Sequence, residues 1–91
     1  MLTQSNFQVL AAAIRAGRGA LSWSQQELAD KSGVSMPTVA RLETSSGNPK
    51  LETVSRLIGA IEKGGVKFEW NQVEGFTMVF TLRKADPVGK P

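Results

Sequence analysis

The sequence predicts a compact, mainly α-helical domain of about four to five helices, followed by a C-terminal β-hairpin. Apolar residues recur at helical spacing from the N-terminus to about residue 63. Helix-capping and helix-ending residues divide this region into separate segments. From Val66 onward the apolar period changes to two, as in a β-strand. The 91 residues suffice for one small domain, and chains of this size often gain stability by forming oligomers.

The composition excludes several kinds of chemistry. The chain has no cysteine and no histidine, so it offers no disulfide, no thiolate or imidazole metal site and no histidine-based catalytic dyad. We therefore expect no metal and no cofactor. The net charge of +3 favours an anionic partner. No apolar run reaches the length of a membrane span and no leader-like segment opens the chain, so we expect a cytoplasmic protein with no membrane partner.

The first helix is predicted within residues 1–21, with Thr3 or Ser5 as its cap. Its apolar positions share helical spacing: Phe7, Leu10, Ala11 and Ile14. Gly17 and Gly19 weaken its last turn, so we expect the helix to end near Arg18. Leu21 and Trp23 are expected to carry core contacts across the connector, with Trp23 as a packing residue rather than a platform for bases.

Residues 24–43 predict two short helices joined by a tight turn. Ser24 opens a capping-box pattern, and Gly33 ends the first of the two helices because glycine enters the left-handed conformation without steric cost. Ser35 caps the second helix, and Pro37 falls in its first turn, where a missing N–H costs nothing. The two helices are expected to cross closely at a steep angle. Four residues of the second helix are left facing outward: Met36, Thr38, Arg41 and Thr44.

The region that follows is predicted to be a polar turn over residues 44–50 and a further helix over residues 51–63. Gly64 and Gly65 would end this helix. Its apolar stripe is expected to close the core over the first three helices, and five residues form it: Leu51, Val54, Leu57, Ile58 and Ile61.

The C-terminal segment 66–84 is predicted to be a β-hairpin, with its turn at residues 71–75. Seven large apolar side chains would share one face of it: Val66, Phe68, Trp70, Phe76, Met78, Phe80 and Leu82. A two-stranded ribbon is barely stable alone, and an exposed apolar face is sticky. We therefore expect this face to cover the helices, to meet its copy in a second subunit, or both. Residues 85–91 contain two prolines and no periodicity, so we expect a disordered tail.

Many residues at fixed spacing match one known pattern: Gln25, Glu27-Leu28-Ala29, Gly33-Val34-Ser35, Val39, Leu42-Glu43, Pro49 and Leu51-Glu52-Thr53. With these residues the chain resembles the helix-turn-helix of the Cro and phage-repressor (XRE-type) class of bacterial DNA-binding proteins, over roughly residues 5–62. The resemblance implies a lambda-repressor-like DNA-binding domain over residues 1–65, with the motif at 24–43. The loop departs from the family, because Ser45 stands where a glycine is usual and the glycine comes at position 47.

The resemblance also implies that the second helix of the pair enters the major groove and contacts bases through Met36, Pro37 and Arg41. A guanidinium matches guanine O6 and N7, which makes Arg41 the best candidate for direct reading; the alternative is a surface arginine or a phosphate contact. Met36 and Pro37 would meet thymine methyl groups, unless Pro37 only starts the helix. Phosphate contacts are expected from five residues, with a plain surface lysine as the alternative for the last: Gln25, Thr38, Thr44, Ser46 and Lys50.

Arg18 and Glu43 occupy places that in this family often hold a salt bridge between the first helix and the end of the reading helix. We interpret this pair as scaffold. Arg15 is the alternative partner of Glu43, or else a phosphate contact.

Four functions from different classes differ in how well they fit these residues. The first is a sequence-specific regulator of transcription that binds double-stranded DNA as a homodimer. A two-fold dimer places its reading helices about 34 Å apart, which suits a palindromic operator and repression by occupancy.

The second function is an antitoxin that uses the same domain to regulate its own promoter, with the hairpin or tail holding a toxin protein. An enzyme is not expected, since no two carboxylates are spaced as a convergent pair. The fourth, a protein-binding scaffold without DNA binding, is disfavoured by the basic charge and Arg41.

Overall fold

The computed structural model describes residues 4–44, 49–71 and 75–80, with side chains for residues 7–44 and 49–69. These ranges contain four helices and two strands: α1 (Gln4–Ala20), α2 (Gln25–Ser32), α3 (Met36–Glu43), α4 (Leu51–Gly64), β1 (Val66–Asn71) and β2 (Gly75–Phe80). The predicted fold class, a mainly helical domain with a C-terminal hairpin, is confirmed over these ranges.

The core lies between the four helices and extends to the first residue of β1. Its largest fully buried side chains come from all of these elements: Leu10, Ile14, Leu28, Val39, Leu57, Ile61 and Val66. α2 packs on α3 and α4, and α1 packs on α3 and α4. The helix pair α2–α3 is therefore held from one side by α1 and α4, and burial of its apolar side chains supplies the main stabilising force.

The end of α1 differs from the sequence-based prediction. The helix continues past Arg18 to Ala20, and it then closes through Ser22, whose φ of 59° is left-handed. The Trp23 N–H donates to the Arg18 carbonyl at 3.1 Å, and the Ser22 N–H donates to the Gly19 carbonyl at 3.0 Å. This is the Schellman pattern of hydrogen bonds, with a serine at the position that glycine usually takes. The sequence predicts that α1 ends near Arg18, because Gly17 and Gly19 weaken the last turn. The helix instead ends at Ala20, where these two hydrogen bonds satisfy the carbonyls of Arg18 and Gly19.

The start of α1 at Gln4 tests one of the two predicted N-cap residues, Ser5. Ser5 lies inside the helix and is not its N-cap, and Thr3 lies outside the described residues.

Gly17 has a packing role that the sequence did not suggest. A Cβ at this position would lie 2.9 Å from Ile61 Cγ2 and 3.1 Å from Phe68 Cζ. Real Cβ contacts are longer than this, so only glycine lets α1 come this close to α4 and β1. The residue predicted to weaken the helix instead joins the helices to the hairpin.

The helix pair is capped as predicted. The Ser24 hydroxyl accepts the Glu27 N–H at 3.0 Å, and the Glu27 carboxylate accepts the Ser24 N–H at 2.7 Å, which confirms the capping box. Gly33 ends α2 in the left-handed region with a φ of 77°. Ser35 caps α3 by accepting the Thr38 N–H at 3.3 Å.

The apolar stripe of α4 is confirmed except at its first member. Val54, Leu57 and Ile61 are buried and Ile58 packs on the core while half-buried, but Leu51 is 73% exposed. Leu51 begins α4 at the edge of the core, so the helical spacing that it shares with the stripe does not bring it inside.

The hairpin is antiparallel, and its register pairs Val66 with Phe80, Phe68 with Met78 and Trp70 with Phe76. These six predicted positions therefore share one face of the ribbon. β1 lies against α4 and β2 against α1, with Val66 buried and Phe68 half-buried on the core. The described part of the hairpin thus covers helices of its own chain. Leu82 and the predicted tail lie outside the described residues.

Candidate nucleic-acid interface

α3 turns one side to the core and the other to solvent. Val39 and Leu42 are buried, whereas Met36 is 38% exposed and Pro37 and Arg41 are exposed. The three residues predicted to contact bases therefore lie on the solvent side of α3. Helical spacing explains this division. Val39 and Leu42 are three residues apart and lie on the same face of α3, whereas Arg41 lies on the other side.

The C-terminal end of α3 is fixed by a buried carboxylate. Glu43 is 2% exposed and accepts Arg18 Nε at 2.7 Å on Oε2 and Arg18 Nη2 at 2.9 Å on Oε1. Gln25 Nε2 also donates to Oε1, at 3.1 Å. A bidentate guanidinium and an amide thus satisfy the buried charge, which would otherwise be costly to bury. The carboxylate connects α3 to α1 through Arg18 and to α2 through Gln25.

Arg15 and Arg18, in the last turns of α1, both donate hydrogen bonds to Glu43 at the C-terminal end of α3. Arg15 Nη1 donates to the main-chain carbonyl of Glu43 at 2.7 Å, where the helix dipole of α3 is negative. Arg18 Nη1 donates to the Trp23 carbonyl at 2.8 Å, which holds the connector between α1 and α2. The hydrogen bond to Glu43 raises the pKa of Arg18 above its ordinary value. Arg15 and Arg18 share Glu43 rather than compete for it.

The exposed side of α3 consequently carries charge of one sign. The charged residues of this helix are Arg41 and Glu43. Glu43 is buried and neutralised by Arg18, so the solvent side presents Arg41 without a carboxylate from α3. Such a surface suits an anionic partner.

The residues predicted to contact phosphates differ in their surroundings. Lys50 is exposed at the N-cap of α4, where it makes no side-chain capping bond. Gln25, the first residue of α2, is half-buried because its amide reaches Glu43. Ser46 lies outside the described residues.

The two threonines of this set have hydroxyl groups that are engaged within the protein. Thr38 Oγ1 lies 2.7 Å from Ser35 Oγ, and the Thr44 hydroxyl donates to the Arg41 carbonyl at 2.9 Å. A hydroxyl has one proton to donate, so a phosphate bond from Thr44 requires exchange of this internal bond.

The resemblance implies that Gln25 buttresses the reading helix, but it does not predict Glu43 as the residue that Gln25 binds. The two residues are 18 positions apart, and a glutamine at a helix start gives no signal of a partner in a later helix. The packing role of Trp23 was predicted and is confirmed, because its ring packs on the core next to Gly64. Lys31 Nζ lies 4.9 Å from the centre of the same ring, in cation–π contact.

Within the described ranges, no helix is both long enough and apolar enough to cross a membrane. The same ranges contain no group of three acidic side chains placed to share a metal ion.

Two short helices that pack on each other across a tight turn, with the second helix capped and exposed on one side, are features of helix-turn-helix domains. A helix-turn-helix family model matches residues 14–67, and the chain belongs to this family, in its Cro and phage-repressor (XRE-type) class. The chain is also similar to an uncharacterized HTH-type transcriptional regulator of Haemophilus influenzae, with 36% identity over 63 residues. The match covers 68% of this chain and 64% of the relative, so the chain spans less than two thirds of that protein's length.

Proposed function

We propose that this protein is a sequence-specific, DNA-binding regulator of transcription, with α3 as the helix that enters the major groove. The observation that carries the proposal is the division of α3: Met36, Pro37 and Arg41 lie exposed on one side, while Glu43 is buried on the other. Membership of the helix-turn-helix family and the name of the similar regulator support it. The groove-facing end of the helix then offers a guanidinium and apolar groups, but no carboxylate that would repel phosphate.

In this proposal Arg41 reads a guanine and Met36 and Pro37 contact thymine methyl groups. Lys50 and Gln25 contact phosphates on either side of the groove, each at the start of a helix, where free N–H groups favour an anion. Thr38, Thr44 and Ser46 complete the set of proposed phosphate contacts. Arg15 and Arg18 lie outside this set because their guanidinium groups are bound to Glu43.

The proposed active form is a homodimer on a palindromic operator, where it represses transcription by occupying the promoter. A two-fold axis places two copies of α3 one helical turn of DNA apart, about 34 Å, so that each reads one half-site.

The proposal places the protein in the cytoplasm, where such operators lie, and assigns it no catalytic role. We place the DNA-binding unit in residues 1–65 and the packing or dimerisation extension in residues 66–84.

Selection of bound sites from random duplex DNA tests the function. The expected product is a pair of inverted half-sites whose centres are about 10 base pairs apart. A purified protein that binds no duplex at low ionic strength would show the proposal to be wrong. The antitoxin alternative stays a prediction, and it would be supported by a second protein that co-purifies with the chain from its native host.

Three alanine variants test the assigned contacts. Arg41→Ala should relax preference at one base position per half-site and weaken binding by about 1–3 kcal/mol. Lys50→Ala should weaken binding to all sequences alike and reduce the slope of log K against log salt by about one. Lys63→Ala is the matched control, because it removes the same charge from the other end of α4, about 20 Å away along the helix. Equal effects of Lys50→Ala and Lys63→Ala would contradict the phosphate contact.

A further inference from the structure

The exposed side of α3 begins with apolar side chains and continues with a positive charge. Met36 and Pro37 are the first two residues of the helix, and Arg41 follows Pro37 by four positions. All three side chains are exposed. Residues four apart lie on the same side of a helix, one turn from each other, so Pro37 and Arg41 are neighbours on this side of α3.

The geometry of an α-helix directs Arg41 towards Pro37. Each Cα–Cβ bond tilts towards the N-terminus of the helix, and a long side chain covers the turn that precedes its own residue. The turn that precedes Arg41 is the one that carries Pro37. Successive bases of a DNA strand are about 3.4 Å apart, less than one helical turn of α3. The base that Arg41 contacts and the base that Pro37 contacts are therefore neighbours.

The first turn of α3 offers a base apolar contact rather than hydrogen bonds. The side chains of Met36 and Pro37 carry no N–H or O–H group. Pro37 also lacks a main-chain N–H, and the N–H of Thr38 donates to Ser35 Oγ at 3.3 Å. The hydroxyl oxygens of Ser35 and Thr38 lie 2.7 Å apart and are hydrogen-bonded to each other. Met36 and Pro37 thus present apolar surface to a groove.

One chemical group at the edge of the major groove matches such a surface. The C5-methyl group of thymine is the apolar group that a standard base pair exposes there. 5-Methylcytosine carries a methyl group on the same ring atom, although its pair with guanine has different donors and acceptors. Side chains that form no hydrogen bond respond to the methyl group and not to this difference.

The charge of α3 adds discrimination against cytosine that lacks the methyl group. A carboxylate is the side chain that accepts a hydrogen bond from the amino group of cytosine. All residues of α3 are described, and the one carboxylate among them, Glu43, is buried and bound to Arg18. An unmethylated cytosine therefore meets neither a methyl contact nor a carboxylate from this helix.

We propose that α3 recognises a C5-methyl group beside a guanine, so that 5-methylcytosine can replace thymine in the operator. Met36 and Pro37 contact the methyl group, and Arg41 donates two hydrogen bonds to the neighbouring guanine. This inference rests on the proposed function and deepens it. The protein distinguishes methylated from unmethylated cytosine beside guanine, and its binding to DNA depends on cytosine methylation wherever that step occurs in a half-site.

The test uses four versions of the operator obtained by selection from random DNA. They differ at the thymine beside the guanine whose preference Arg41→Ala relaxes. This position carries thymine, uracil, 5-methylcytosine or cytosine, with the complementary base opposite. Uracil removes only the methyl group, whereas 5-methylcytosine keeps the methyl group on a different base pair. The same changes in the flanking DNA serve as the control for effects outside the half-site.

The duplexes with thymine and 5-methylcytosine should bind equally. Those with uracil and cytosine should bind about fourfold more weakly for each half-site, because a buried methyl group contributes about as much as one buried CH₂ group. The variant M36A/P37A should bind all four duplexes equally, since it removes the apolar contacts. M36L is the matched control, and it should keep the order of the unaltered protein because leucine retains an apolar side chain. Far-UV circular dichroism of each variant checks that it folds.

Three results obtained with an operator that binds specifically would overturn the inference and leave the proposed function in place. They are a selected site with no thymine beside the guanine, equal binding of the thymine and uracil duplexes, and 5-methylcytosine that binds no better than cytosine. A preference for the methyl group that persists in M36A/P37A would refute its assignment to the first turn of α3. A protein that binds no duplex at all would refute the proposed function and this inference together.

Discussion

Replacement of Arg18 by methionine removes one partner of the buried Arg18–Glu43 ion pair, which fixes the C-terminal end of α3. Methionine keeps much of the length and apolar surface of the arginine side chain, so the variant mainly removes the guanidinium. Glu43, which is 2% exposed, then loses both of its hydrogen bonds to Arg18 and keeps the bond from Gln25 at 3.1 Å. The predicted consequence is a buried carboxylate with one neutral donor.

The expected cost follows from the burial of the two partners. Removing one partner of a buried pair costs about 3–5 kcal/mol, because the other charge remains without compensation. A small domain has about 5–15 kcal/mol of stability, so Arg18→Met should remove a large part of it. Glu43→Gln should cost less, about 1–2 kcal/mol, because Arg18 is 19% exposed and keeps the Trp23 carbonyl.

Urea unfolding followed by far-UV circular dichroism measures these costs. The matched control is Arg56→Met, which breaks the exposed pair between Arg56 and Glu52 and should cost less than about 1 kcal/mol. The double variant R18M/E43Q gives the sharpest test, because removing the stranded charge should restore part of the stability lost in R18M. The reasoning is refuted if R18M costs no more than R56M, or if the double variant is less stable than R18M.

Two further predictions concern the backbone. Gly17→Ala should destabilise the protein by about 1–3 kcal/mol, since the new Cβ would lie 2.9 Å from Ile61 Cγ2. Gly59→Ala, with no atom within 4 Å, should stabilise it by about 1 kcal/mol through helix propensity, and shifts of the same sign in urea unfolding would contradict this contrast. Ser22→Gly should raise stability by about 1 kcal/mol, because a residue with a Cβ is strained at a φ of 59°. An unchanged melting temperature for Ser22→Gly would mean that this position carries no strain.

The parts of the fold that depend on local chemistry could be predicted from the sequence. The capping box at Ser24, the left-handed Gly33 and the cap at Ser35 each involve residues within a few positions of one another. The hairpin register follows from the alternation on either side of a short turn, and apolar residues at matching positions leave little freedom to shift it.

The features that were missed depend on contacts between distant segments. Leu51 has the helical spacing of a core residue, but its exposure depends on where the core ends. Helix propensity predicts that Gly17 weakens α1, and the need for glycine at this position becomes clear only when Ile61 and Phe68 are placed beside it. For the candidate site, the exposure of Met36 and Arg41 followed from helical spacing, whereas the bond from Gln25 to Glu43 depends on how α2 crosses α3.

The net charge of +3 is a poor guide to the charge of the candidate interface. Arg18 is neutralised by Glu43, and Arg15 is bound to the carbonyl end of α3, so both act in positioning that helix. What makes the outer side of α3 attractive to an anion is the burial of its carboxylate, which the composition does not reveal. The same pair thus has two consequences, a fixed orientation for α3 and an outer side without negative charge from that helix. In the proposed complex, loss of Arg18 should therefore weaken DNA binding through the position of α3, while the dependence on salt set by the phosphate contact of Lys50 stays the same.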